Sequence, residues 1–303
     1  MFLPVHALFC LPRLRIFGIR AALAGEKGCE SVRVCLLASG SRGNAALIET
    51  GGCRLLVDAG LSAREIDRRL ATLELDGGDL HAILVSHEHH DHTTGVGPLA
   101  RRYRLPVYID TETVKQLPKL GTIDDLRCFE AGDQLSFHDL NIETFATAHD
   151  AVNPVGFCIA SREGRIGFAT DLGLATRLVA EQLRHCRVLV LEANHDQQML
   201  LDGSYPWHLK QRIRGRLGHL SNDDTVSLLR TIGWDGLDAL FLAHLSEENN
   251  CPDLLAALID KVLSEIDGCR PQVVIGRQAA ASACYHGADP PLAERRKRIG
   301  PPR

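Results

Sequence analysis

No run of apolar residues approaches the roughly 18 that a membrane-crossing helix requires, so the sequence predicts no membrane span. None of the ten cysteines falls in a C-x-x-C pair. Several, such as Cys35 and Cys158, sit in apolar, strand-like runs. Buried free thiols in a reducing cytoplasm are therefore expected, and a disulfide framework is not. No basic segment precedes the apolar start Met1–Cys10, and Arg13, Arg15 and Arg20 interrupt the stretch after it. A secretory signal has the opposite order, so residues 1–30 are expected to be an extension outside the fold. Excess positive charge is also missing. The formal net charge is −4, and setting aside the basic ends (1–33 and 292–303) leaves about −11 for the middle. That disfavours a protein that grips nucleic acid with its whole surface; such binding would need a local basic patch.

What is present is ordinary for a folded chain: 303 residues, 45% hydrophobic and 24% charged. This is enough to bury a core without disulfides. Strands are expected over 32–38, 45–49, 54–58, 81–86, 106–109, 156–161, 165–170, 188–191, 239–243 and 272–275, with a further pair within 134–149. Ser62 and Glu65 have capping-box spacing before a helix carrying Ile66, Leu70 and Leu73 on one face. A helix is expected over 99–104, a second behind Ser221 and Asp224, and a third over 252–266. Hairpins dominate the strand connections, so two mixed sheets packed face to face with helices outside fit better than one doubly wound parallel sheet. The fold is expected to fill 31–285, and the basic, proline-bearing 286–303 to be a disordered tail.

The strongest chemical signal is Ser86-His87-Glu88-His89-His90-Asp91-His92, directly behind the apolar strand Ile83-Leu84-Val85. It contains H-x-H-x-D-H. Residues two apart at a strand end point the same way, so His87 and His89 can share one metal. Asp91 and His92, past the turn, face a neighbouring position. Imidazole and carboxylate are the ligands that zinc prefers. The alternative is a solvated polar loop.

These residues resemble the metal-binding motif of the metallo-β-lactamase superfamily, an αββα sandwich in the α/β (α+β) class with metals at the edge of its two sheets. Four further residues, each at a strand end, match that family's pattern in order: Asp58, His149, Asp171 and His244. The resemblance implies a site for two divalent ions, Zn²⁺ with Mn²⁺ as the other candidate. It puts His87, His89, His149 and a bridging Asp171 on one ion, and Asp91, His92, His244 and Asp171 on the other. Asp58 is implied to orient ligands from behind. The ions would share a hydroxide, the expected nucleophile, with Asp91 in the catalytic set.

Ser39–Asn44, Leu191–Asp196, Tyr205–Ile213, Gly218–Asn222 and His244–Asn250 together resemble the YycJ/WalJ-like branch, which contains DNA exonucleases. A phosphodiester substrate agrees with the basic stretch Lys210, Arg212, Arg214 and Arg216, whose alternation suits one face of an extended segment. Lys210 and Arg212 are thus candidate phosphate holders. Ser41 and Asn44 lie in a loop whose backbone N–H groups could cradle a phosphate, and His219 could protonate a leaving oxygen. Glu192 and His195 could support the site from behind. His90, between His89 and Asp91, is expected to face away. The expected activity is a two-metal phosphodiesterase acting on DNA. Hydrolysis of a small molecule, a glyoxalase II-like thioester or a cyclic phosphate, is the competing reading, which the acidic charge favours. A non-catalytic metal-binding protein is the third.

Overall fold

The computed structural model describes residues 32–50 and 52–287. The expected extension at 1–30 and all but the first two residues of the expected 286–303 tail lie outside these. Six strands form one sheet: β1 (Arg33–Ala38), β2 (Ala45–Thr50), β3 (Cys53–Val57), β4 (Ala82–Leu84), β5 (Val107–Asp110) and β6 (Leu126–Phe129). The second sheet holds β7 (Gln134–Phe137), β8 (Leu140–Ala146), β9 (Val155–Ser161), β10 (Gly164–Ala169), β11 (Val188–Glu192), β12 (Ala239–Ala243) and β13 (Gln272–Ile275). The short β14 (Tyr285–His286) returns to pair antiparallel with β1 and completes the first sheet. His286, expected in the tail, is thereby opposite Arg33.

The two sheets repeat one plan. In the first, β14-β1-β2-β3 run antiparallel and β3-β4-β5-β6 parallel. In the second, β7-β8-β9-β10 run antiparallel and β10-β11-β12-β13 parallel. The sequence shows no matching repeat.

Side-chain alternation builds the layers. Along β12, Ala239, Phe241 and Ala243 enter the core shared by both sheets, with Val57, Leu84, Phe157 and Phe168. Leu240 and Leu242 point the other way, into a second core under helices. Along β11, Val188 and Val190 divide from Leu189 and Leu191 in the same manner. The second sheet's outer face is covered by α5 (Arg177–Leu183), α8 (Asn222–Ile232) and α9 (Pro252–Ser264). The first sheet's outer face is covered by α1 (Ala63–Ala71) and α3 (Val96–Tyr103), through Ile66, Leu70, Val96 and Leu99. The architecture is therefore αββα, as expected. The remaining helices are short: α2 (His90–Thr93), α4 (Thr111–Lys115), α6 (Gln197–Asp202) and α7 (Trp207–Arg214). Among the described residues no helix is long and apolar enough to cross a membrane.

Two expectations change. Cys35 and Cys284 form a disulfide across 249 residues; the other six described cysteines are free. Buried position and partner are separate properties, and the apolar run around Cys35 reported only the first. The basic stretch is not extended either. Residues 207–214 are helical behind Pro206, which puts Lys210 and Arg212 on different faces.

Candidate metal centre

Both sheets offer the carboxyl ends of their parallel strands at one edge, where α/β sheets place ligands. Asp58 follows β3, the histidine-rich loop follows β4, Asp171 follows β10, and His244 follows β12. Asp58, Asp171 and His244 have φ of 59°, 58° and 57°. Non-glycine residues seldom take this left-handed conformation, and it clusters at functional sites. In each case the chain turns abruptly off a buried strand. Gly60 makes room for the meeting of loops: a Cβ there would lie 1.6 Å from the Asp91 carbonyl oxygen.

The seven residues matched from sequence come together. His87, His89 and His149 bring ring nitrogens within 4.8 Å of one another, and so do the donor atoms of Asp91, His92 and His244. His89 Nδ1 lies 3.0 Å from His87 Nε2 and 3.3 Å from His149 Nε2. Asp91 Oδ2 lies 3.6 Å from both His92 Nε2 and His244 Nε2. Asp171 stands between the groups, Oδ2 at 3.3 Å from His92 Nε2 and Oδ1 at 3.6 Å from His149 Nε2.

Most of these rings are fixed from behind. His92 Nδ1 is 2.8 Å from Asp58 Oδ2, and His87 Nδ1 is 2.9 Å from the Ser86 hydroxyl. That hydroxyl and the Ser86 N–H both donate to Asp58. His149 Nδ1 meets the Gly218 carbonyl at 2.9 Å. His244 Nδ1 meets Glu192 Oε1 at 3.0 Å. This arrangement selects the ring nitrogen left to face the centre.

Two buried atoms, His244 Nε2 and Asp171 Oδ2, have no hydrogen-bond partner. Buried polar atoms are normally satisfied. An all-nitrogen-and-oxygen donor set with unpaired atoms aimed inward suits divalent cations. The protonation pattern agrees. Burial and the surrounding imidazoles hold His87 well below the usual histidine range, and burial lowers His149. Burial opposes charge on His92, yet Asp171 and Asp58 push it up to about 9. His244 is raised well above its ordinary value against the same burial, by Asp171, Asp91 and Glu192. Metal ions bound here would displace protons from such groups.

The candidate substrate residues separate. An open cleft of about 400 Å³ is lined by Ser41, His90, Arg212 and His219 together with His89, Asp91, His149, Asp171 and His244. His90 is exposed, lines the cleft and joins no donor group. Arg212 Nε donates to Asp150 Oδ2 at 2.6 Å. Lys210 is turned away: it is buried, and its ammonium donates to the Leu201 and Gly203 carbonyls at 2.7 and 2.6 Å. It caps the end of α6, so no phosphate role fits. The Ser39–Asn44 loop spends its N–H groups internally: those of Gly40, Arg42, Gly43 and Asn44 donate to protein acceptors. Only the Ser41 N–H is left over, and a single N–H does not make a backbone phosphate cradle. Asn44 is buried against Asp91 and His92 rather than presented to substrate.

Glu192 is the residue that the sequence underplayed. It is fully buried at the end of β11. Oε1 lies 2.8 Å from His219 Nδ1 and 3.0 Å from His244 Nδ1, while Oε2 accepts from the Leu172 and Leu220 N–H groups. Burial alone would raise its pKa, but the His219 and His244 contacts hold it far below the carboxylate norm. A lone glutamate closing an apolar strand was its sole signal. His195, named with it, is buried and does not reach the donor groups.

Comparison with known proteins adds to this geometry. Residues 53–244 match the family described as Beta-lactamase superfamily domain. The chain is 40% identical over 238 residues to "Exodeoxyribonuclease WalJ" of Streptococcus pneumoniae, covering 77% of this chain and 88% of that protein. It is 37% identical over 233 residues to "Exodeoxyribonuclease YycJ" of Bacillus anthracis, covering 76% and 88%. The crystal structure of the metallo-beta-lactamase fold protein YhfI from Bacillus subtilis superposes with a TM-score of 0.64 at 19% identity, over 85% of this chain and all of that one.

Proposed function

The chain belongs to the metallo-β-lactamase superfamily, and we propose that it is a two-metal phosphodiesterase that removes nucleotides from DNA ends. The carrying observation is the meeting of seven side chains around two unpaired, buried donor atoms. The names of the relatives at 37–40% identity support DNA as the substrate. One ion would be held by His87, His89, His149 and Asp171, the other by Asp91, His92, His244 and Asp171. Zinc suits these ligands, and manganese is compatible. Bound divalent ions would supply acidified water near neutral pH and a counter-charge for phosphoryl oxygens.

The chain's own residues then account for orientation and proton transfer. Glu192 engages His219 at Nδ1, leaving Nε2 to donate a proton to the leaving oxygen from the cleft wall. Asp58 and Glu192 fix the rings of His92 and His244, so the donor set is organised before substrate arrives. Arg212 and Ser41 flank the cleft, where Arg212 could exchange Asp150 for a phosphate.

A substrate panel tests this reading against the thioesterase alternative. The metal-loaded protein is expected to release nucleotides from 5′-phosphorylated duplex DNA and to hydrolyse bis-p-nitrophenyl phosphate. Turnover of S-lactoylglutathione with no DNA cleavage would overturn it.

A further inference from the structure

The loop Ser39–Asn44 bonds to Asp91 and His244, two of the proposed ligands of one ion position, and packs against a third, His92. The Ser39 hydroxyl accepts the N–H of His244 at 2.6 Å. Asn44 donates its backbone N–H to the Asp91 carbonyl at 2.7 Å. Its side-chain Nδ2 lies 3.3 Å from Asp91 Oδ2 and 3.0 Å from His92 Nε2. The amide cannot turn freely, because the Gly40 N–H donates to its Oδ1 at 2.8 Å. His87 and His149 are instead held through the Ser86 hydroxyl and the Gly218 carbonyl.

The loop is held from outside by a chain segment more than 230 residues away. Gln278 is buried, with 8% of its surface exposed. Its Oε1 accepts the Arg42 N–H at 2.8 Å, and its Nε2 donates to the Gly43 carbonyl at 3.0 Å. Next to it, the Arg277 carbonyl accepts the Ser39 N–H. This segment is anchored on β1 at three places: the Ser282 hydroxyl accepts the Leu36 N–H, Cys284 is joined to Cys35, and β14 pairs with Arg33 and Val34. The Gln278 amide, at the loop tip, and the Arg277 carbonyl, at its base, thus connect an anchored strap to the loop that bears on Asp91 and His244.

We propose that Gln278 is a positioning residue for one ion position, that of Asp91, His92 and His244, and has no part in the other. Its role rests on the two-ion reading of the centre. Removing Gln278's two bonds frees the loop tip at Arg42 and Gly43, next to Asn44, so Asn44 no longer defines where Asp91 stands, while Ser39 stays held by the Arg277 carbonyl. Groups bonded directly to metal ligands typically change affinity by about ten- to hundredfold; Gln278 acts one contact further out, at the lower end of that range. The effect should fall on a single ion.

The test uses the full chain stripped of metal and titrated with Zn²⁺ against a chromophoric chelator, for wild type, Gln278→Ala and Gln278→Met. His244→Ala identifies which binding step belongs to the Asp91 side. Wild type is expected to bind in two steps. Each Gln278 variant should weaken the step that His244→Ala removes by roughly tenfold, with the other step within about twofold. Circular dichroism checks folding; should the alanine variant fail to fold, the methionine variant, which keeps the side-chain bulk, decides. Equal weakening of both steps, or no change in either, overturns the assignment. A single step in wild type would instead refute the two-ion reading on which it stands.

Discussion

Replacing Glu192 by glutamine probes the centre without touching a proposed ligand. The carboxylate serves four donors: His219 Nδ1 at 2.8 Å, His244 Nδ1 at 3.0 Å, and the N–H groups of Leu172 and Leu220 at 2.6 and 3.3 Å. A glutamine offers one acceptor oxygen and one NH₂ group. If the oxygen serves the two backbone donors, the NH₂ faces both imidazoles and cannot accept from them. If it serves the imidazoles, two buried N–H groups are stranded. Either way about two bonds to a charged acceptor are lost, each of about 1.5–3 kcal/mol. Some relaxation around the smaller polarity change will recover part of this. A loss of about 1.4–2.8 kcal/mol in ion binding at His244 is expected, that is about ten- to hundredfold in Kd. Activity on bis-p-nitrophenyl phosphate should fall by a similar factor at limiting metal. Metal titration and initial rates check both. A Glu192→Gln protein that binds its ions and turns over within twofold of wild type would refute the reasoning that Glu192 organises His244 and His219.

Lys210→Met should lower the melting temperature by a few degrees, as about 1–3 kcal/mol of buried bonding to the Leu201 and Gly203 carbonyls disappears, with KM for DNA unchanged; a raised KM at unchanged stability would return Lys210 to the substrate. Arg212→Ala should do the reverse, because its partner Asp150 and its guanidinium are solvent-accessible and such pairs contribute under about 1 kcal/mol. It should raise KM for DNA several-fold and leave bis-p-nitrophenyl phosphate hydrolysis alone; equal losses on both substrates would argue against a phosphate contact. Burial lowers the His195 pKa to about 4, below the unfolded value of about 6.5. Between those values the unfolded chain binds the proton and the native one does not, so this residue removes stability as pH falls from about 6.5 toward 4, by about 3 kcal/mol in full. His195→Asn should therefore show a shallower fall of melting temperature over that window than wild type; parallel curves would contradict the assignment.

The periodicity of apolar residues made the strands and the two-sheet class legible, because most β-strands of the sandwich, such as β2 and β11, are buried on both faces, and β7 alternates. The donor set was legible because its residues follow strands closely: His87 lies three positions past Leu84, Asp171 two past Ala169, and His244 one past Ala243. Orientation was not. Lys210 and Arg212 share a charge pattern that suits an extended segment, but α7 starts behind Pro206 and turns the two apart. Asn44 and Ser41 sit in one loop, yet the Gly40 N–H pulls the asparagine inward while Ser41 stays at the cleft. Contacts between distant segments left no local trace. Gln278 reaches the 39–44 loop, and Cys284 reaches Cys35, where the chain crosses from β13 back to the first sheet at β14. Glu192 carried a weak signal for the same reason: its partners come from β12 and from the turn before α8.

The most direct measurement is anomalous diffraction from crystals of the metal-loaded protein, recorded at the absorption edge of the added metal. Two peaks about 3.5–4 Å apart are predicted, one beside His87, His89 and His149, the other beside Asp91, His92 and His244, with Asp171 touching both. Peaks elsewhere in the molecule, or none at this edge of the two sheets, would contradict the account.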